Sequence, residues 1–298
     1  MQRVSNCKWL RIAIVGWLAF NPGAVFAWGI EGHKAVAIIA TDCLKGTNTL
    51  SRISALLGSL TLADISICPD EVRDFEKHHK PMSATCSKLF PHPPKGTSNW
   101  HFINIPIKDA SFEPTKADID AACKQHCVTV EITNVLAILA ASKPNDGTSK
   151  KRKERQALSF VVHFIGDVHQ PLHAGDRDGD NGGNAEHIKF FNAQAVLHSI
   201  WDNQIVSRVD STESALSNDL ASEITQAAAE PASEPADWAL QSYKFARDVA
   251  YVGVPPAKGD EDVAELGQPY QDSAAPVVRI QIARAGVRLA NALKAALP

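Results

Sequence analysis

Histidine and aspartate recur at helical spacing in two stretches of this chain. In "HFIGDVHQPLH", residues 163 to 173, His163 and Asp167 stand four apart, followed by His169 and His173. In "AVLHSIWDN", His198 and Asp202 repeat that interval. On an α-helix the interval puts both side chains on one face, where they can converge on a single ion. Pro171 breaks the first helix, so His173 can turn back toward the same place. Neutral imidazole and carboxylate are the borderline ligands that zinc takes. One such pair reads as a hydrogen bond on a helix surface; two pairs with a further histidine, in an apolar background, read as metal ligands. Upstream, His33, Asp64, Asp70 and His101 raise the donor count enough for more than one ion.

The elements that must hold these groups are helical. "HKAVAIIATDCL", "AACKQHCVTVEITNVLAILAAS", "KERQALSFVVHFIGDVH", "AVLHSIWDNQIVSRV", "DWALQSYKFARDVAYV" and "VVRIQIARAGVRLANALKAAL" all place apolar residues three or four apart. Clusters such as "PHPPKG", "GDRDGDNGG" and "VPPAKGDED" punctuate them. The pattern predicts an all-α domain over residues 28–298, with at most a short β-hairpin near residues 186–195. "KKRKER" reads as a solvated helix start, and "AAAEPASEPAD" as a flexible connection.

Residues 1–27 differ in kind. Arg3, Lys8 and Arg11 precede the apolar run Ile12–Phe20, which is too short to span a bilayer, and the small residues Val25 and Ala27 follow. This predicts a secretory signal cut after Ala27, a protein that is secreted or periplasmic, and no stable membrane association once the signal is gone. Removing the signal takes three basic residues and no acidic one, moving the formal charge from −3 to −6. A protein that grips nucleic acid through a broad positive field is usually basic, so any phosphate ester must be held locally. Five cysteines remain, and in an oxidising compartment some should pair. Cys123 with Cys127 could close a small loop, Cys68 with Cys86 is the next candidate, and Cys43 is then left over; sequence leaves the connectivity open. The paired short spacings of a cysteine-type zinc site are absent.

The order of motifs resembles the zinc-dependent single-strand-specific nuclease and 3′-nucleotidase family. Trp28 at the new N-terminus, His33 five residues on, Asp70 with Arg73 three later, "WHFINIP", "HFIGDVHQPLH", "GDNGGN" and "HSIWD" occur in that order. The resemblance implies an all-helical fold with three zinc ions in a cleft. It assigns the first ion to Asp70, His101, His163 and Asp167, and the second to His173, His198 and Asp202. The third falls to His33, Asp167 and the amino nitrogen and carbonyl oxygen of Trp28. Asp167 then bridges two ions, and the α-amino ligand does not exist until the signal is cut. Asp64 competes with Asp70; Asp70 is preferred because Arg73 follows it at the position where the family carries a basic residue. His169 matches no ligand position, and His78, His79, His92, His126 and His187 are read as surface or structural.

The implied chemistry is hydrolysis of single-stranded DNA and RNA to 5′-phosphate products, with removal of 3′-phosphates from nucleotides. Zinc ions about 4 Å apart lower the pKa of a shared water and aim it at phosphorus. Asp70 would orient that water, and Arg73 and Asn203 would neutralise charge on the phosphoryl group. Phe102 would stack an unpaired base, and Asn104 would read its edge. The protein is expected to be a monomer. Zinc-dependent phospholipase C is the alternative enzyme, but its signature places Asn three residues beyond the histidine where this chain has Asp176. An inactive secreted zinc-binding module is the alternative from another class; its sign would be a lost ligand, and none is lost.

Overall fold

The computed structural model describes residues 28–109, 111–143, 146–210, 212–256 and 263–298. The stretch read as a signal, residues 1–27, lies outside the described residues. Six helices frame the site: α1 (Gly29–Cys43), α2 (Cys68–His78), α3 (Val128–Ala140), α4 (Thr148–Val168), α5 (Pro235–Phe245) and α6 (Gln268–Ala296). The central one is α4, which packs against all five others. Its composition follows from that position. Residues 150–153 of "KKRKER" are exposed at the start, whereas every residue from Ala157 to Val168 is buried. A helix enclosed all round is apolar all round, so His163 and Asp167 are polar groups in the middle of the core.

The all-α expectation holds. The hairpin is present as well, and β pairing extends beyond it. Ile105–Pro106 (β1) pairs in parallel with Gly175–Asp176 (β2). His187–Phe190 (β3) pairs antiparallel with Ala193–Val196 (β4), and Ala264–Leu266 (β5) adds to β3 in parallel. Phe191 (φ 48°) and Asn192 (φ 66°) form the two-residue turn of the hairpin, the left-handed pair that matches strand twist. Pairings of two or three residues are too short to leave a periodic signal, which is why β1, β2 and β5 were not expected.

Two helical stretches depart from expectation. Residues 121–142 do not form one helix: Lys116–Cys123 ends where Lys124 (φ 48°) and Gln125 (φ 84°) turn left-handed, and α3 begins at Val128. The Cys123–Cys127 disulfide closes that turn. In "AVLHSIWDNQIVSRV" the first two residues belong to β4, and the helical part contains a π turn over Ile200–Gln204. The second disulfide joins Cys68 to Cys86, and Cys43 is a half-buried free thiol. In "AAAEPASEPAD", residues 229–234 are non-helical and Pro235 opens α5 at the position where its missing N–H costs nothing. Among the described residues no single helix is long and apolar enough to cross a membrane.

Candidate metal centre

Five side chains from four segments converge on one point. His33 comes from α1, Asp70 from α2, His101 from the tight turn Thr97–His101, and His163 and Asp167 from α4. His101 Nδ1 lies 3.0 Å from both Asp167 Oδ2 and His163 Nε2. His163 Nε2 is 3.2 Å from Asp167 Oδ2 and 3.5 Å from Asp70 Oδ1, while His33 Nε2 is 3.4 Å from Asp167 Oδ1. A second group adjoins it. His173 and His198 face each other with their Nε2 atoms 3.2 Å apart, and His198 Nε2 is 3.4 Å from Asp202 Oδ2. Asp167 Oδ1, 3.9 Å from His173, links the two groups. The π turn carries Asp202, in keeping with the frequency of such turns at functional sites.

Backbone carbonyls orient the rings. His163 Nδ1 donates to Ser66 O at 2.7 Å, His173 Nδ1 to His101 O at 2.7 Å, and His198 Nδ1 to Gly182 O at 2.6 Å. Each bond puts the proton on Nδ1 and aims the Nε2 lone pair inward. Between His173 and His198 two lone pairs then face each other with no proton to share, an arrangement that calls for a cation. The parallel β1–β2 pair ties the segment after His101 to the segment after His173.

Sequence reasoning passed over Gln170. Buried beside the second group, it donates from Nε2 to Asp202 Oδ1 at 2.7 Å and accepts from Leu172 N at 2.6 Å. It thereby holds Asp202 with Oδ2 toward the histidines. We expect Gln170→Leu to weaken metal binding by about 10- to 100-fold, the usual cost of losing an outer-shell orienting bond. Titration of the metal-free protein reads this directly, and an unchanged affinity would rule out the orienting role.

The donor set fits metal ions. Both ring nitrogens of His33, Nε2 of His101, Asp70 Oδ2, Asp167 Oδ1 and Asp202 Oδ2 are buried and have no hydrogen-bond partner. Buried carboxylate oxygens left in this way are costly unless they coordinate a cation. Three triads stand close enough to share one: His33, His163 and Asp167; Asp70, His101 and His163; His173, His198 and Asp202. Burial pushes the pKa values of His33 and His173 down, that of His101 to about 4, and that of His198 to about 3, favouring the neutral ligating form. Burial would raise Asp70, but the Arg73 guanidinium and His163 outweigh it and hold the carboxyl below its usual range. Burial pushes Asp202 well up. For His163, burial is overcome by Asp167 and Asp70, which raise it to about 10. Positive charge at that spot is what the two carboxylates favour, and a metal cation supplies it.

The N-terminal segment is pressed against this centre. Trp28 is fully buried and donates from Nε1 to Gly166 O at 2.9 Å, one residue before Asp167. Its carbonyl accepts from Gly32 N at 3.0 Å. Gly166 has no room for a side chain: a Cβ there would sit 2.8 Å from His33 Nδ1. Gly166→Ala should therefore displace His33 and lower metal content at its site, with the fold retained. Metal analysis with a circular dichroism control checks this, and a full metal complement would overturn it.

Other sequence candidates sort by location. Asp64 is exposed and caps the turn Leu62–Ile65 through Thr61, away from the cluster, whereas Asp70 is buried within it. His169 is buried but donates to Ile165 O and receives Arg288 Nη1 at 2.8 Å, a structural role. Arg73 forms an ion pair with Asp70 Oδ1 at 2.9 Å. It lines a cavity of about 310 Å³ that also takes in Lys77, His78, Phe102, Asn104, His173 and His198. A larger cavity of about 750 Å³ shares Phe102, Asn104 and Asn181 with it but contains none of the ligands. The smaller one is where a substrate would meet the centre. Phe102 and Asn104 form the half-buried wall common to both. His78, read as a surface group, lines this cleft. Asn203 lines neither cavity; its amide donates to Ser199 O and its Oδ1 lies over Gly29.

A helical frame around buried His and Asp triads defines a candidate metal-binding protein, and comparison with known proteins gives its family and reaction class. The family profile described as S1/P1 Nuclease matches residues 28–298, and the chain belongs to that family of phosphodiester hydrolases. It is 29% identical to Endonuclease 4 of Arabidopsis thaliana over 286 residues, covering 89% of this chain and 88% of the relative. It is 27% identical to Nuclease P1 of Penicillium citrinum over 287 residues, covering 89% and 96%. It is 28% identical to Nuclease S1 of Aspergillus oryzae over 183 residues, covering 60% and 55%.

Proposed function

We propose that residues 28–298 form a zinc-dependent endonuclease that cuts single-stranded DNA and RNA to 5′-phosphate products and removes 3′-phosphates from nucleotides. The observation that carries this is the triple set of buried, mutually facing His and Asp donors, of which His173 and His198 line a cleft walled by Phe102 and Asn104. Three zinc ions are assigned. Asp70, His101, His163 and Asp167 would hold one, His173, His198 and Asp202 the second, and His33, Asp167 and the main-chain nitrogen and oxygen of Trp28 the third. The close approach of His33 to His163, with rings stacked 4.0 Å apart, makes His163 a further candidate around that last site.

Bound zinc supplies a water of lowered pKa and Lewis-acid stabilisation of the phosphoryl group. The chain's own groups do the rest. Asp70, kept ionised by Arg73, accepts a hydrogen bond from the attacking water and orients it. Arg73, facing the cleft, neutralises charge on the non-bridging oxygens. Asn203 would reach the leaving side only by turning from Ser199. Phe102 offers a face on which one base can stack, and Asn104 offers an amide to its edge. A base within a duplex is already stacked on both sides, so the preference for single strands follows.

The signal read in the sequence over residues 1–27 and the two disulfides support a secreted or periplasmic location, and the proposal includes a monomer without stable membrane association. The deciding experiment is cleavage of single-stranded DNA by the protein beginning at Trp28, with and without a strong chelator. Cleavage that stops with chelator and returns with zinc, leaving 5′-phosphate ends, is expected. No cleavage by zinc-loaded protein would sink the reading.

A further inference from the structure

Away from the metal centre, a separate concavity of about 290 Å³ lies where the start of α4 meets residues 57–60 and the short helix Ala84–Leu89. Its floor is Leu57, Leu60 and Leu89, and its rim carries Lys88, Arg152 and Arg155, with no carboxylate in the wall. None of these three cations makes a hydrogen bond or ion pair with the described residues. Five other arginines, Arg177, Arg247, Arg279, Arg284 and Arg288, each bind a carboxylate. Glu154, between the two arginines in sequence, is buried beside Asp146 instead.

Three unpaired cations gathered in one hollow repel one another, and a chain of net charge −3 has no general excess of positive charge to explain them. An anion in the hollow removes the repulsion, and arginine forks match phosphate oxygens. Arg152, Arg155, Ser159 and His163 follow one another at intervals of three and four, so they lie on one face of α4. That face rests on the segment ahead of α2: Ser159 donates to Ile65 O and His163 to Ser66 O. Eight residues separate Arg155 from His163, about 12 Å along the helix.

We propose that this hollow is a second phosphate-binding site that holds the backbone of a single strand beyond the segment engaged at the metals. The inference rests on the nuclease reading above. A stacked strand advances about 3.4 Å per nucleotide, so a dinucleotide is too short to occupy both places and a strand of some twenty nucleotides is ample.

The test uses zinc-loaded protein and a labelled 20-nucleotide strand whose 3′-bridging oxygens are methylene groups, which keeps the charge but blocks hydrolysis. Binding is read by fluorescence anisotropy at several salt concentrations. Arg152→Glu/Arg155→Glu should raise Kd for this strand about tenfold and reduce the salt slope by about 1.4, the share of two lost contacts at 0.7 each. Kd for the corresponding dinucleotide should not change. The charge-neutral Arg152→Gln/Arg155→Gln guards against a folding defect and should show a smaller loss in the same direction. Kd values for the long strand equal to the parent's in both variants would overturn the proposal. So would the case in which inorganic phosphate shifts the Arg152 and Arg155 side-chain NMR signals while strand affinity is untouched; the hollow would then take free phosphate only. Failure of the nuclease reading is seen separately, as absence of cleavage of an ordinary strand.

Discussion

Asp167→Asn should lower cleavage of single-stranded DNA by about a thousandfold or more, the scale set by removing a charge that holds catalytic metal and stabilises the transition state. The two oxygens of Asp167 look in different directions. Oδ2 lies 3.0 Å from His101 and 3.2 Å from His163, and Oδ1 lies 3.4 Å from His33. Of the three carboxylates in the cluster it alone approaches His33, His101, His163 and His173 together. Asparagine keeps the shape but replaces one oxygen with an amide that turns N–H toward a cation. Zinc content by mass spectrometry, measured alongside kcat, should fall by at least one ion per chain. Full zinc content with a rate within tenfold of the parent would show that Asp167 is not a bridge. Asp64→Asn is the matched control, since Asp64 is an exposed cap and its loss should cost about 0.5–2 kcal/mol of stability at most.

The second large effect concerns the chain end. Protein that retains Ala27 should lose the metal site at Trp28 and fall about a hundredfold in activity, the upper end of what loss of even an outer-shell partner costs. Trp28 is fully enclosed, pinned by its indole to Gly166 and backed by Gly32, where a Cβ would come within 2.6 Å of Trp28 Cβ. An added residue converts the amine to an amide with no lone pair for metal. Metal must displace a proton from that amine in the protein beginning at Trp28, so occupancy should rise with pH. The checks are two preparations that differ by one residue, compared in kcat and zinc stoichiometry. Equal values would remove the main-chain ligands from the assignment.

Much of this centre was legible before any coordinates, for a local reason. His163 with Asp167 and His198 with Asp202 are read from helix pitch alone, because a four-residue step fixes a shared face wherever the helix is placed. The apolar run around His163 and Asp167 likewise announced a helix buried on every side. The hairpin near residue 190 was legible because its turn residues and strand alternation are also local. Less was visible where contacts are distant in sequence. The β1–β2 pair joins residues 105–106 to 175–176, and two-residue pairings carry no period. Gln170 differs from any other glutamine only through its contact with Asp202, thirty-two residues away. The break at Lys124 and Gln125 was masked by an apolar pattern that continues across it, and the left-handed turn there is closed by a disulfide.

By itself, then, the sequence determined the helical class, the donor types and the pairs within each helix, since these depend on spacing along one element. Tertiary structure decided which donors stand close enough to share an ion: it placed Asp70, buried, in the cluster and left Asp64 exposed, brought His33 of α1 onto His163 of α4, and turned His173 to face His198. It also left Lys88, Arg152 and Arg155 together around one hollow. The physical reason is that coordination is set to tenths of an ångström by the packing of separate helices, and packing depends on side chains distant in the chain whose joint arrangement no local period records.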